Sequence, residues 1–322
     1  MRRARRVYGG LLRRAARIVD RLAPGAVAAA ATILRNVADQ TSPGGRFWLQ
    51  YAGARFQLDV VEERPFWYQT FSRWAAGMEV YELTMIECLT RLVLRTEAPR
   101  FVDIGAFMGH YACYVAALTG DQSEVYAIES NRRYCAAIER SVRLNGLSKL
   151  KVYNAVLSDR VEVAAIDEQE VRFDASGKHS ARTTTLDELC RQETIRPVIA
   201  KIDVHGTEGK VLMGMQHLMK DSVDFVLLEL HSEDWLHRYS GGMSRADVLG
   251  IFERAGFHLF YVAGHRSSGS PERQQTMSAD ALTYRRVTSQ SSDLLLFDRP
   301  DDVLLLGSKV ADVEPLLRPR TD

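Results

Sequence analysis

A glycine-punctuated turn and the acid beside it are the residues whose types and spacing first suggest chemistry. The stretch FVDIGAFMGHY (101–111) is typical of a buried strand, a turn and the start of a helix. Asp103 stands at the end of the strand, and the turn carries Gly105, Ala106 and Gly109. Ligands of open parallel sheets bind beyond the carboxyl ends of the strands, where the strand order reverses. The sequence therefore predicts a ligand site at this turn.

The spacing and charge of this turn argue against a ligand that carries phosphate. Gly105 and Gly109 follow the pattern G-x-x-x-G, whereas dinucleotide sites use G-x-G-x-x-G, and no P-loop lysine follows. A pyrophosphate is bound by backbone N–H groups and positive charge, so the carboxylate of Asp103 would oppose it. S-adenosylmethionine carries an amino group and a sulfonium but no phosphate, and Asp103 favours such a ligand.

A second acid, Glu129, ends the next predicted strand and is followed by Ser130. An acid at this place can accept hydrogen bonds from the ribose hydroxyls of a nucleoside. Because a dinucleotide would use the same contact, an NAD(P)-dependent oxidoreductase stays open as an alternative.

Strands and helices alternate from residue 100 onward, which predicts βαβ units and a mostly parallel sheet covered by helices on both faces. The last two strands are joined by a long segment without a helical pattern, which predicts an antiparallel strand at the sheet edge. The expected architecture is a Rossmann-like α/β fold with seven strands. The predicted strands are 100–104, 124–129, 150–156, 197–204, 223–231, 257–262 and 292–299.

Several local features are also predicted. Asn131 suits the N-cap of the helix that follows it, and Ser244 with Asp247 suits the start of a later helix. The segment 161–175 is typical of a hairpin at the rim of the sheet. The segment 207–219 predicts one continuous helix.

Six stretches in sequence resemble the FkbM family of methyltransferases, over roughly residues 80–300. The resemblance implies a class I methyltransferase fold, S-adenosylmethionine as the methyl donor, and O-methylation of a secondary metabolite or a saccharide. It also implies that Asp159 borders the adenine. The stretches are FVDIGAFMGHYACYVA, VYAIES, NAVLSD, TTTLDEL, IAKIDVHGTEGKVLMGM and LLELH.

The stretch KIDVHGTEG departs from the pattern K-x-D-x-E-G-x-E that is usual in the family. Asp203 and Glu208 are kept, but His205 stands where a glutamate is typical. If that glutamate contributes to catalysis or positions the substrate, His205 changes the charge and the pKa at its position. A non-catalytic member that anchors a partner or a membrane is therefore a further alternative.

Methyl transfer to a hydroxyl needs an aligned acceptor oxygen and benefits from a base within hydrogen-bond reach. Candidates end the fourth and fifth predicted strands, which face the glycine turn. Asp203, His205 and His231 are the predicted catalytic residues, and the ordinary pKa of a histidine, about 6.5, suits His231 to general-base work. Asp203 is also a candidate to hold the amino group of the cofactor. Glu208 and Glu229 are the predicted substrate contacts, and no metal is predicted, because no Asp-Asp-Asn set is present.

The composition points to an intracellular globular protein. The net charge of +1 gives no bias toward nucleic acid, and the four cysteines are scattered without metal-site spacing. No apolar run reaches the ~20 residues that span a bilayer. We therefore expect a cytoplasmic protein. The family resemblance implies that it acts on a small-molecule or saccharide acceptor.

The N-terminus differs from the rest, since residues 1–21 carry eight arginines and one acid. Residues 1–24 are typical of a basic amphipathic helix that either contacts a membrane surface or a partner, or packs on its own domain. The predicted organisation is a helical extension (1–45), a lead-in segment with a helix (46–95), the catalytic domain (96–300) and a tail (301–322).

Overall fold

The computed structural model describes residues 45–61, 65–167, 170–172, 179–265, 282–290 and 302–318. The predicted basic helix at 1–24 and the predicted strand at 292–299 lie outside these ranges. Among the helices described, none has the length and apolar character that crossing a membrane requires.

The strands, in chain order, are β1 (Arg46–Tyr51), β2 (Ala54–Asp59), β3 (Arg100–Ile104), β4 (Glu124–Glu129), β5 (Leu150–Asn154), β6 (Val156–Leu157), β7 (Val163–Asp167), β8 (Glu170–Arg172), β9 (His179–Thr184), β10 (Ile199–Ile202), β11 (Phe225–Leu230), β12 (His258–Val262), β13 (Tyr284–Val287) and β14 (Val303–Ser308). The helices are α1 (Pro65–Ala75), α2 (Leu83–Arg95), α3 (His110–Thr119), α4 (Arg132–Asn145), α5 (Leu186–Glu193), α6 (Glu208–Met213), α7 (Gln216–Asp221), α8 (Glu233–Tyr239), α9 (Arg245–Arg254) and α10 (Glu314–Leu317).

The main sheet has the strand order β13-β12-β14-β11-β10-β3-β4-β5. The run from β11 to β5 is parallel, and β14 is antiparallel to both of its neighbours, β11 and β12. The chain moves outward from β3 through β4 to β5 and then returns to β10 on the other side of β3. This reversal is the switch point of a Rossmann-like α/β fold, and the predicted fold class is confirmed.

The C-terminal part of the sheet differs in two details from the prediction. An eighth strand, β13, pairs with β12 and forms the antiparallel edge. The segment 301–322, predicted as a tail, supplies β14, whose six residues are all buried between two strands. Its apolar run VLLLGS is buried on both faces, so the main sheet includes residues beyond the predicted boundary at residue 300.

The predicted helix at 207–219 is two helices, α6 and α7, with a break at Gly214. A Cβ at this glycine would lie 2.1 Å from the carbonyl oxygen of Ser158, so the two backbones pass in close contact. After the break, the carboxylate of Asp187 accepts hydrogen bonds from the backbone N–H groups of His217 and Leu218, at 3.0 and 2.9 Å. These contacts hold the first turn of α7.

The other local predictions correspond closely to the structure. Asn131 accepts a hydrogen bond from the N–H of Arg133 at 2.9 Å, and Ser244 with Asp247 forms a capping box. The predicted hairpin at 161–175 is part of a four-stranded sheet with the order β6-β9-β7-β8.

The lead-in segment, 46–95, packs on the main domain. The β1–β2 hairpin contacts α3 and α4, and the N–H of Asp59 donates to the hydroxyl of Ser141 at 2.9 Å. Its aromatic side chains, including Phe56 and Trp74, join the same apolar core as Tyr114 of α3. This segment therefore brings α1 close to the glycine turn.

Candidate functional site

A cavity of ≈ 190 Å³ opens beyond the carboxyl ends of β3, β4 and β10, where the strand order reverses. Gly105 lies on its wall after β3, Glu129 at the end of β4 with Ser130 after it, and Asp203 and His205 after β10. The sequence predicted all five for the site, and the fold brings them to one cavity.

The glycine turn is held by close backbone packing. Gly105 has a left-handed φ of 72°, and an added Cβ would lie 1.8 Å from the carbonyl oxygen of Asp203. Gly109 has a φ of 78°, and its Cβ would meet the side chain of Ile138 on α4 at 2.7 Å. The N–H groups of Gly105 and Ala106 both donate to the carbonyl of Ile128, at 3.0 and 3.1 Å. A side chain on Gly105 would close the turn against the strand that carries Asp203.

Glu129 joins two turns at the edge of the cavity. One carboxylate oxygen accepts from the N–H of Phe107 and the other from the N–H of Asn131, both at 2.8 Å. Burial raises the pKa of Glu129, and these two N–H groups oppose the rise. The buried carboxylate is therefore placed at the cavity wall as a rigid hydrogen-bond acceptor, which suits the ribose of a nucleoside.

Asp103 does not line the cavity, although the sequence predicted it as a ligand-binding residue. Its carboxylate is fully buried, and Lys201, its neighbour across β3 and β10, places Nζ 3.2 Å from it. Burial raises the pKa of Asp103, while Lys201 lowers it. The carboxylate of Asp103 is therefore directed at Lys201, and its contact with a cationic ligand stays a prediction.

Lys201 is a buried cation that the sequence-based prediction did not single out. Its Nζ also donates to the carbonyl of Gly105 at 3.1 Å and lies 3.6 Å from the carboxylate of Asp203. Burial opposes its charge, but Asp103 and Asp203 raise its pKa above the ordinary value. A lysine within the apolar strand IAKI was the signal, because such a residue needs buried partners.

Asp159 lies outside the cavity, although the family resemblance placed it beside the adenine. Its carboxylate is 3.6 Å from Nζ of Lys210 and 3.6 Å from the guanidinium of Arg160. After β5 the cavity is instead lined by the apolar residues Ala155, Val156 and Leu157.

A second group of polar side chains lies at the ends of β10 and β11. The Nδ1 of His231 is 2.7 Å from Oε1 of Glu208, and its Nε2 is 3.9 Å from Oδ1 of Asp203. The ring of His205 lies 5.2 Å from that of His231, and Trp235 stacks on His231 at 5.6 Å. The loop after β10 thus presents Asp203 and His205 to the cavity, with His231 behind them.

The environment of His231 differs from the one predicted for a base with an ordinary pKa. Burial alone would lower the pKa of the imidazole, but the carboxylates of Glu208 and Asp203 raise it to about 10. Because two acids flank His231, the pKa of its imidazole does not lie near neutral pH.

The two predicted substrate contacts, Glu208 and Glu229, are fully buried and do not line the cavity. Glu208 accepts from the N–H of Gly206 at 2.9 Å and fixes His231. Glu229 lies 3.1 Å from Nε2 of His265. Both acids therefore contact other side chains away from the cavity, and their role as substrate contacts stays a prediction.

The cavity also has an aromatic wall that the sequence left unassigned. Phe107 contacts Tyr134 edge-on at 4.6 Å and Trp67 at 4.8 Å. His110 lines the cavity, and burial lowers its pKa to about 4. Phe66, on α1, is 61% exposed at the same opening.

Comparison with known proteins gives one family. Residues 103–259 match the family described as the methyltransferase FkbM domain. No curated protein matches the sequence.

The solved structures that this chain matches are distant from it in sequence. A methyltransferase FkbM from Methylobacillus flagellatus KT is 14% identical, with 74% of this chain and 53% of that chain covered and a TM-score of 0.42. A precorrin-6y C5,15-methyltransferase from Geobacter metallireducens GS-15 is 14% identical, with 70% and 87% covered and a TM-score of 0.40. Fibrillarin from Aeropyrum pernix, in complex with natively bound S-adenosyl-L-methionine, is 10% identical, with 82% and 94% covered and a TM-score of 0.40.

Proposed function

Residues 103–259 of this chain are a methyltransferase FkbM domain, and from that premise we propose that the protein transfers a methyl group from S-adenosylmethionine to a hydroxyl oxygen of a secondary metabolite or a saccharide. The observation that carries the proposal is the meeting of Gly105, Glu129 and Asp203 at one cavity. Gly105 and Glu129 suit a nucleoside, and Asp203 is a carboxylate at the opening of the cavity.

The cofactor side of the cavity is formed by the two turns that Glu129 joins. When bound, S-adenosylmethionine supplies a methyl group that its sulfonium has already activated. The backbone at Gly105 leaves room that a Cβ would fill, and Glu129 offers oxygens to the ribose hydroxyls. Phe107 and Tyr134 provide apolar surface beside it.

The acceptor side is formed by Asp203 and by the aromatic residues of α1. The Asp203 side chain is 16% exposed, and its carboxylate can accept a hydrogen bond from a hydroxyl and so hold the oxygen in line for attack. Phe66 and Trp67 meet edge-on at 5.0 Å at the opening, where an aromatic face suits a sugar or a flat ring. These features support an alcohol acceptor on a ring-bearing molecule.

Replacing Glu129 by alanine is expected to weaken binding of S-adenosylhomocysteine at least ~10-fold, because the ribose acceptor and two backbone hydrogen bonds of about 1–3 kcal/mol each are lost. Calorimetric titration measures this affinity. The matched control is Glu124→Ala at the other end of β4, where the exposed carboxylate accepts only from the hydroxyl of Tyr126 among the hydrogen bonds described. Equal affinities for the two variants would contradict the role of Glu129.

The reaction is tested with the full chain, labelled S-adenosylmethionine and a panel of acceptors that carry hydroxyl, amino or carboxyl groups. We expect label in methyl ethers, identified by mass spectrometry, and binding of S-adenosylhomocysteine. Binding of NAD(P) without either sulfur cofactor would favour the oxidoreductase alternative. Label only in methylamines or methyl esters would overturn O-methylation of a hydroxyl.

A further inference from the structure

Asp203, His205 and His231 form a group whose composition matches a metal site. Each offers one ligand atom, and these atoms lie within 4.8 Å of one another. Ligand atoms bound at ~2.0–2.2 Å to one tetrahedral ion stand roughly 3.4 Å apart. The 3.9 Å between Nε2 of His231 and Oδ1 of Asp203 is close to that separation, so small side-chain rotations would bring all three onto one ion.

The orientation of His231 is the second observation. The side chain is buried, with 3% exposure, and its Nε2 has no hydrogen-bond partner among the residues that the structure describes. Its other nitrogen is held by Glu208 at 2.7 Å, and Glu208 is held in turn by the N–H of Gly206. A carboxylate that fixes the remote nitrogen of a histidine is the usual support of a metal ligand. Nε2 is thus aimed at Asp203 by a rigid acid behind the ring.

His205 completes the set from the loop after β10. It has a left-handed φ of 50°, and the next residue, Gly206, packs so closely on α8 that a Cβ would lie 2.9 Å from the carbonyl of Trp235. This close packing directs the imidazole of His205 toward His231 and the cavity. Histidine is the commonest protein ligand of transition metals. The glutamate that the family typically has at this position is a harder donor.

We propose that Asp203, His205 and His231 bind a divalent first-row transition metal ion, with Glu208 as the positioning residue of His231. Two imidazoles and one carboxylate suit zinc or iron(II) and leave coordination positions open. An ion that enters the site replaces the proton that Nε2 would otherwise carry.

This inference deepens the proposed function and rests on it for the identity of the bound acceptor. Because Asp203 and His205 line the cavity, an ion held by them would be accessible from the acceptor side. The ion would bind the acceptor oxygen and lower the pKa of its hydroxyl, so that its proton passes to solvent before the new C–O bond forms. Asp203 would then hold the acceptor through the ion instead of directly.

The test is calorimetric titration of the full, chelator-treated chain with ZnCl₂, together with the visible absorption of Co²⁺ bound in its place. We expect one ion per chain. His205→Ala should weaken Zn²⁺ binding at least ~10-fold, and Glu208→Gln by ~10–100-fold, as for other residues that orient a ligand. The control is His217→Ala, an exposed histidine on α7, which should bind as the unchanged chain does.

The outcomes separate this inference from the proposed function. Methyl transfer that persists in chelator, with no Zn²⁺ bound and no Co²⁺ spectrum, would overturn the metal site and leave the function standing. One bound ion that His205→Ala releases supports the site even where no acceptor is methylated. Equal loss of binding in His217→Ala would show a surface effect and overturn the assignment.

Discussion

Asp203→Asn is expected to lower kcat for methyl transfer by ~10²–10⁴-fold while leaving the affinity for S-adenosylhomocysteine within about twofold. The substitution keeps the shape of the side chain but removes the charge that orients the acceptor oxygen. The fold should tolerate it, because Lys201 still has Asp103 at 3.2 Å and the carbonyl of Gly105 at 3.1 Å. Single-turnover rates with saturating cofactor measure the effect on the transfer step.

The control for this variant is Asp224→Asn, an exposed acid at the amino end of β11. It removes the same charge at the opposite ends of the parallel strands, so kcat should stay unchanged. Cofactor affinity that falls in Asp203→Asn as steeply as kcat would instead place Asp203 on the cofactor, as the amino-group contact that the sequence also allowed. Unchanged kcat in Asp203→Asn would remove it from the reaction altogether.

Gly105→Ala is expected to reduce cofactor binding below detection and to destabilise the fold. A left-handed φ costs an alanine roughly 1–2 kcal/mol. The added Cβ would also lie 1.8 Å from the carbonyl oxygen of Asp203, which is backbone and cannot rotate away. Overpacking of this kind costs about 1–3 kcal/mol more. The denaturation midpoint and titration with S-adenosylhomocysteine measure the two effects.

The variant Gly146→Ala separates the effect of backbone strain from that of the steric clash between an added Cβ and the carbonyl of Asp203. Gly146 ends α4 with a φ of 64°, and nothing lies within 4 Å of an added Cβ. This variant should lose only the roughly 1–2 kcal/mol of the left-handed conformation and should bind cofactor normally. If Gly105→Ala were no worse than Gly146→Ala, close contact between the glycine turn and β10 would not shape the cavity.

The hydrophobic periodicity and the residue types at the strand ends were sufficient to predict the parallel part of the sheet and the position of the cavity. Gly105, Glu129 and Asp203 lie at or directly after the ends of buried strands, and parallel strands bring such positions to one edge. The pairing of charges across strands could not be predicted in this way. Asp103 and Lys201 are close because β3 and β10 are in register, a fact that depends on strand order. The pKa of His231 likewise depends on Glu208, which lies 23 residues earlier in the chain.

The local sequence pattern also could not predict the helix break after Met213 or the position of β14 in the sheet. The helical pattern continues through Gly214, whereas the contacts at the break come from Ser158 and Asp187, which are distant in sequence. The run VLLLGS is apolar enough to be any buried strand. Its insertion between β11 and β12 is a property of the whole sheet.

The insertion of β14 sets an order of events during synthesis. β11 and β12 leave the ribosome well before residues 303–308, and each then presents an unpaired edge that other chains could join. The sheet is complete only when β14 has been synthesised. This half of the domain therefore folds after most of the chain has been translated. A chain interrupted between β12 and β14 would leave β11 and β12 without the strand that pairs with both of them.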